Sequence, residues 1–311
     1  MNNKKVIIAH LSMLMASAGW GLMAPLGKQA MAAGVAGIDL VSFRVAGGMV
    51  LFWLTSLLWR GCHETVAKYD LLLFFFASIF GLVCNQCCYT IGLSITSPIN
   101  ASIVVTSMPI FTMILAAIVL REPITSKKVL GIFFGCIGAI MLIITSASAM
   151  NAKVGNIKGD LLCLFAQLSF ALYLTLFGKL IKRYHVITVN KWMFTYATLL
   201  IIPFSFNHVI QLPFSTFSTT VWTEVAYVVI VGTFLCYILT MVGQKTLRPT
   251  VVSIYNYVQP IVSVTASLLM GIGIFKWGQG IAVVLVCFGV WLVTKSKSRA
   301  DLERTTQTTK K

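Results

Sequence analysis

The sequence predicts an all-α membrane protein of ten transmembrane helices arranged as two inverted five-helix repeats, and three observations carry that expectation. The composition is 58% hydrophobic and only 10% charged, against about 25% charged residues in an ordinary soluble chain. The apolar residues fall in nearly uncharged blocks of about 18 to 23, the length that crosses roughly 30 Å of hydrocarbon as a helix. Finally, the chain matches itself in ungapped register at an offset of 151 residues.

The first block, 6–26, follows Lys4 and Lys5. A signal peptide can open this way, but the run continues through Gly21 with Pro25 close behind and has a counterpart later in the chain, so it reads as an uncleaved helix. Blocks 39–59, 70–92, 99–120 and 128–146 complete the first half. The second half comprises 158–181, 188–208, 222–243, 251–270 and 277–295. The connections carry Lys, Arg, Gly, Pro or Asn and are too short for a separate soluble domain. The expected organisation is a repeat over 1–150, a second over 151–296 and a basic cytoplasmic tail over 297–311.

A net charge of +16 invites a nucleic-acid reading, so the position of the charges decides its meaning. With the N-terminus cytoplasmic, the inner side receives nineteen Lys and Arg, six of them from Lys295 onward, and the outer side receives Lys28, Lys153, Lys158 and Lys276. This is the positive-inside asymmetry of a bundle with both termini in the cytoplasm. It points to anionic lipids at the cytoplasmic face and away from nucleic acid.

The self-match is rich in residues that chance similarity between apolar segments would not supply. Gly27 and Lys28 align with Gly178 and Lys179, Gly81 with Gly232, Gly92 with Gly243, and Pro98 with Pro249. Further along, Ser102 and Ile103 align with Ser253 and Ile254, Pro109 and Ile110 with Pro260 and Ile261, and Cys136 with Cys287. Five spans per unit is an odd number, so the second unit begins on the opposite side of the membrane. Inverted repeats of this kind are the architecture of many secondary transporters, because exchanging the conformations of the halves moves a cavity's opening from one face to the other.

Paired helix breaks indicate where a ligand would sit. Pro109, about halfway along the fourth span, and Pro260, its counterpart in the ninth, each remove a backbone donor and orphan the carbonyls of Val105 and Asn256. In hydrocarbon such carbonyls need protein, water or a cavity to meet them; a packing kink without ligand contact is the competing reading. Polar residues gather at the breaks: Ser102 and Thr106 on one span, Ser253, Tyr255, Asn256, Tyr257 and Gln259 on the other. The third span adds Asn85, Gln86 and Tyr89, the sixth Gln167 and Tyr173, the eighth Tyr237 and Thr240. Buried amides face the bundle interior, either as substrate contacts or as interhelical hydrogen bonds. Trp20 lies roughly 9 Å inside the outer end, deeper than an interfacial belt residue need be, and is a candidate cavity wall. The candidate substrate-binding set is therefore Trp20, Asn85, Gln86, Tyr89, Ser102, Thr106, Gln167, Tyr173, Tyr237, Tyr255, Asn256 and Gln259, with Pro109 and Pro260 as the breaks.

Charged residues within the spans are few. Arg44 lies near the outer end of the second, with Lys28 and Asp39 nearby, so these either pair or snorkel to the interface, or Arg44 attracts a carboxylate group. Asp160 and Glu224 lie close to outer helix ends, and mid-membrane acids for a proton relay are absent. Cys84, Cys87 and Cys88, without a second pair or a nearby His, read as packing, so no metal or cofactor is expected. Gly131, Gly135 and Gly138 form a close-packing face that suits the bundle or a homodimer. No HExxH, GxSxG or Walker loop appears, which leaves catalytic and ATP-driven readings without residues.

With Trp20–Gly21 in the first span, a Pro-bearing fourth span, and Arg121–Glu122–Pro123 turning into a glycine-rich fifth, the chain resembles EamA-type members of the drug/metabolite transporter (DMT) superfamily. The resemblance covers nearly the whole chain. It implies an inner-membrane permease for small metabolites, often outward, with amino acids and related compounds as frequent substrates. The chain departs from the pattern at Gly273, which stands where the first half has Glu122. Rival readings are a flippase, which needs a lateral opening, an intramembrane enzyme, and a sensor or assembly protein, which usually carries a soluble domain.

Overall fold

The computed structural model describes residues 3–59, 64–95, 104–147, 157–269 and 277–296, which are helical with no strand among them. In the first half, α1 (Asn3–Ala32) continues past Pro25 and is followed by α2 (Gly37–Leu58). The next long helix has three parts: α3 (Lys68–Ser78), a π-turn (Ile79–Cys84) and α4 (Asn85–Ile95). Then come α5 (Met108–Val119) and α6 (Ser126–Ala147).

The second half repeats this plan with one early difference. Where α1 is continuous, its counterpart divides at Phe177 into α7 (Ile157–Leu176) and α8 (Gly178–Arg183). After α9 (Val186–Ile210) comes a second three-part helix: α10 (Thr219–Val229), a π-turn (Ile230–Leu235) and α11 (Cys236–Thr246). Every boundary of this segment lies at the repeat-equivalent of its partner. α12 (Pro249–Ile254) then passes through a 3₁₀ turn (Tyr255–Tyr257) into α13 (Val258–Leu269), and α14 (Trp277–Thr294) completes the bundle.

Seven stretches among the described residues are long and apolar enough to cross a membrane: Asn3–Met23, Gly37–Leu58, Lys68–Ile95, Ile157–Leu176, Val186–Ile210, Thr219–Thr246 and Trp277–Thr294. The fourth and ninth expected spans are not continuous helices. The breaks leave α5 and α13 with 12 residues each, about 18 Å at 1.5 Å per residue, which is too short to cross alone.

Packing between the halves is reciprocal. α1 lies against α11 and α13 of the second half, while α7 lies against α4 and α5 of the first. α2 packs on α9, and α6 on α14, each an equivalent pair. Such reciprocity is what a two-fold relation between the halves produces. Contacts on that relation join equivalent residues directly: Gln86 Nε2 donates to Tyr237 Oη at 2.9 Å, and Tyr257 Oη donates to the Thr106 carbonyl at 3.2 Å.

Glycine sets the closest approaches. A Cβ at Gly131 would meet the Gly289 carbonyl at 2.8 Å, and one at Gly138 the Ala282 carbonyl at 2.7 Å. The glycine face of α6 is therefore taken up by α14 of the same chain, and a homodimer would need another surface. Large apolar side chains such as Leu58, Phe204, Leu269 and Trp277 cover the bundle's outside, as lipid contact requires.

Candidate functional site

Both helix breaks border one cavity. On the first-half side, a turn at Thr106–Ser107 precedes α5, and Pro109 occupies its first turn, where a missing N–H leaves no gap. On the second-half side, the 3₁₀ turn Tyr255–Tyr257 tightens the backbone just before Pro260. Both prolines thus sit at a helix start behind a tight turn, a more complete interruption than a mid-helix kink. Val105 and Met108 line the cavity from one break, Asn256 and Gln259 from the other.

The cavity holds about 140 Å³, roughly ten times the volume that one water requires and so enough for a solute of about ten heavy atoms. Its middle is polar, with Trp20, Asn85, Gln86, Gln167, Tyr237, Asn256 and Gln259 on the wall. From there Met23, Gly27 and Met31 of α1, Leu40 of α2, Leu93 of α4 and Val228 of α10 carry the lining towards one end of the bundle. The other end is packed shut. Tyr173 donates to Gln244 at 3.2 Å, His10 Nδ1 meets Tyr255 Oη at 2.8 Å, and Met13 fills the space over Gly243. At that end Asp70 also accepts from Arg183 at 2.6 Å and from Tyr184 at 2.5 Å, tying α3 to the second half. Burial, followed by the Asp70 contact, pushes the Tyr184 phenol above its ordinary pKa, so it stays a donor.

The two π-turns position the walls. A π-turn shifts the hydrogen bonding by one residue and leaves carbonyls in need of partners, a device frequent at functional sites. In the first, Ser169 Oγ of α7 donates to the Phe80 carbonyl at 2.8 Å. In the second, Trp20 Nε1 of α1 donates to the Gly232 carbonyl at 2.8 Å, which fixes the indole over the cavity edge-on to Tyr237. Gly21, beside Trp20, lets α1 reach α13, since a Cβ there would meet the Gln259 carbonyl at 2.8 Å. The Asn256 amide nitrogen donates to Met108 Sδ, and Gln259 Nε2 donates to Asn256 Oδ1 at 3.1 Å.

Of the sequence-derived candidates, the structure brings together Trp20, Asn85, Gln86, Tyr89, Gln167, Tyr237, Asn256 and Gln259 on the cavity wall. Tyr173 and Tyr255 lie instead in the sealed end. Thr106 is buried behind the wall, its carbonyl accepting from Tyr257. Ser102 lies outside the described residues.

Arg44 belongs to the wall and was absent from the candidate set. It neither snorkels nor pairs with Asp39: it is 7% exposed, and its Nε donates to Thr233 Oγ1 at 3.0 Å. Asp39 is engaged by His208 at 2.8 Å and by the Ala36 N–H at 3.0 Å. The sequence did show a cation inside a span. What it hid was that His208, 169 positions away, takes the only nearby acid on the same helix.

Residues 7–144 and 157–295 each match the EamA-like transporter family. The chain is 28% identical to the uncharacterized transporter YyaM of Bacillus subtilis (strain 168), over 74% of this chain and 75% of that one. It is 22% identical to a second such transporter of that organism, YetK, over 81% and 76%. A solved crystal structure superimposes with a TM-score of 0.75 over 94% of this chain and 97% of its own at 17% identity, a likeness of fold.

Proposed function

Since the chain belongs to the EamA-like transporter family, we propose that it is a secondary transporter that moves a small polar or amphipathic metabolite, an amino acid or related compound, out of the cell by alternating access. The observation that carries this reading is one cavity with a polar middle, closed at one end, walled by equivalent elements of both halves and bordered by both helix breaks. In this reading the discontinuous α5 and α12–α13 segments, with their preceding residues, make the fourth and ninth passes. With the seven stretches above and the 22-residue α6 as the fifth pass, that gives ten passes in two inverted repeats, over 1–150 and 151–296.

The charge distribution supports an inner-membrane protein with both termini and the 297–311 tail in the cytoplasm. The sealed end is then the cytoplasmic one, and the cavity faces outward. Trp20, Asn85, Gln86, Tyr89, Gln167, Tyr237, Asn256 and Gln259 contact the substrate. Tyr173 and Tyr255 act in the cytoplasmic gate, which opens as the repeats exchange conformations and the outer side closes.

Proteoliposome uptake of a metabolite panel, with and without a pH gradient, tests the site. Removing one buried hydrogen-bonding side chain, about 1 kcal/mol, lowers affinity roughly fivefold, so Asn256→Ala and Gln86→Ala should each weaken uptake. Wild-type rates and affinities in both variants would refute the cavity assignment. Cysteine accessibility should label position 127 from the cytoplasm and position 156 from outside; the reverse pattern overturns the topology.

A further inference from the structure

Arg44 is the cationic side chain on the cavity wall among the described residues, and the charge has no counter-ion there. Its Nε bond to Thr233 is its only hydrogen bond among those residues, and the Thr233 hydroxyl is itself anchored by donating to the Val228 carbonyl at 2.9 Å. The Nη edge of the guanidinium is therefore held in place by the second π-turn and left without a partner. A guanidinium stays protonated under any physiological condition, and its fork matches a carboxylate in two parallel hydrogen bonds. Keeping it buried and unpaired is unfavourable, which makes sense for a group whose partner arrives from solution. Nearby, Gln86 donates through Nε2 to Tyr237, while its Oε1 is buried with no donor.

We infer that Arg44 is the specificity-determining residue of this cavity and that the transported metabolite carries a carboxylate, which the Nη edge of Arg44 takes. An N–H donor on the same molecule takes Gln86 Oε1. A single guanidinium neutralises a monoanionic carboxylate, whereas a phosphate dianion would keep an uncompensated charge in a low-dielectric site. This rests on the transporter reading above. The rival role for Arg44 is structural, stapling α2 to the π-turn through Nε alone, and that role predicts no substrate selectivity.

The test uses the purified full-length protein and a panel of L-amino acids, each compared with its primary amide and its decarboxylated amine, with inorganic phosphate as a further arm. Binding is read by thermal shift and transport by uptake into vesicles. Wild type should prefer the carboxylated member by about tenfold or more. Arg44→Lys should keep part of that preference, and Arg44→Gln should bring the ratio to about one. Arg44→Gln should also melt higher than wild type, because a buried unpaired charge is gone; a staple would make it melt lower. If Arg44→Gln fails to fold, the wild-type ratio and Arg44→Lys decide. Amides or amines taken up as well as acids, in a manner sensitive to Asn256→Ala, would overturn this inference and leave the transporter reading standing. Stronger protection by phosphate than by any carboxylate would overturn it as well. Silence of wild type towards every probe, with Asn256→Ala no different, would overturn both.

Discussion

Lys68–Ile95 and Thr219–Thr246 follow one backbone path: eleven helical residues, six in a π-turn, eleven more. Their chemistry differs. The first presents Asn85, Gln86 and Tyr89 to the cavity; the second presents Tyr237 and, through Thr233, the anchor of Arg44. Even the crossing bonds have been rewritten: Asn85 donates to the Ala166 carbonyl at 2.9 Å, where its counterpart Cys236 makes a thiol contact with Ala16 at 3.5 Å. Duplication preserved the geometry that lets two halves pack reciprocally, because altering it in one half would break contacts in both. Side chains on the cavity wall were free to diverge, since they face open space and not a packed partner. The turn before the fifth helix differs in the same way: Glu122 pairs with Lys128 at 2.7 Å, while the second half has Gly273 and Gln279 in those places.

The largest test of that asymmetry is Lys128→Met. Lys128 is 1% exposed, and its loss strands Glu122, so stability should fall by about 3 kcal/mol, with Glu122→Gln in the same chain restoring most of it. Gln279→Met, the equivalent change, should cost about 1 kcal/mol. Equal losses in detergent unfolding would mean that the halves do not differ there.

The π-turns provide the next comparison. A Cβ at Gly81 meets the Tyr173 ring at 2.8 Å, whereas one at Gly232 meets Met23 Sδ at 2.6 Å. A ring wedged in the sealed end cannot yield, but a thioether can. Gly81→Ala should therefore destabilise by about 2 kcal/mol and Gly232→Ala by less than about 1 kcal/mol. The opposite order would show that the two turns are not supported as the packing suggests.

The smallest effects should come from the bonds that serve the freed carbonyls. Ser169→Ala and Trp20→Phe each remove one interhelical hydrogen bond, about 0.6 kcal/mol in a membrane bundle. Stability should barely separate them, but transport should, because only Trp20 stands on the cavity wall. Equal transport in both variants would break the link between the indole and the substrate.

Much of this arrangement could be read along the chain. Long apolar blocks marked the bundle, Gly, Pro and Ser matches marked the duplication, and Pro109 and Pro260 marked the breaks, because a missing N–H is a purely local property. The π-turns could not be read, since their carbonyls are stabilised by Ser169 and Trp20 of other helices and no residue type specifies such a turn. Tyr89 and Tyr173 illustrate the same limit: both are tyrosines inside apolar helices, yet only the first reaches the cavity, because Gly81 admits the ring of the second into the packed end.

The sequence by itself determined that this chain is a duplicated helical membrane protein with uncharged polar groups concentrated at two matching interruptions, since apolar length, charge bias and proline act within a few residues. Only the tertiary structure decided which of those groups share a cavity, which end is sealed, that the glycine face is spent inside the chain, and that Arg44 is left without an acid among the described residues. Those outcomes depend on contacts between residues more than a hundred positions apart, such as Asp39 with His208 and Arg44 with Thr233, and a short-range pattern carries no record of them.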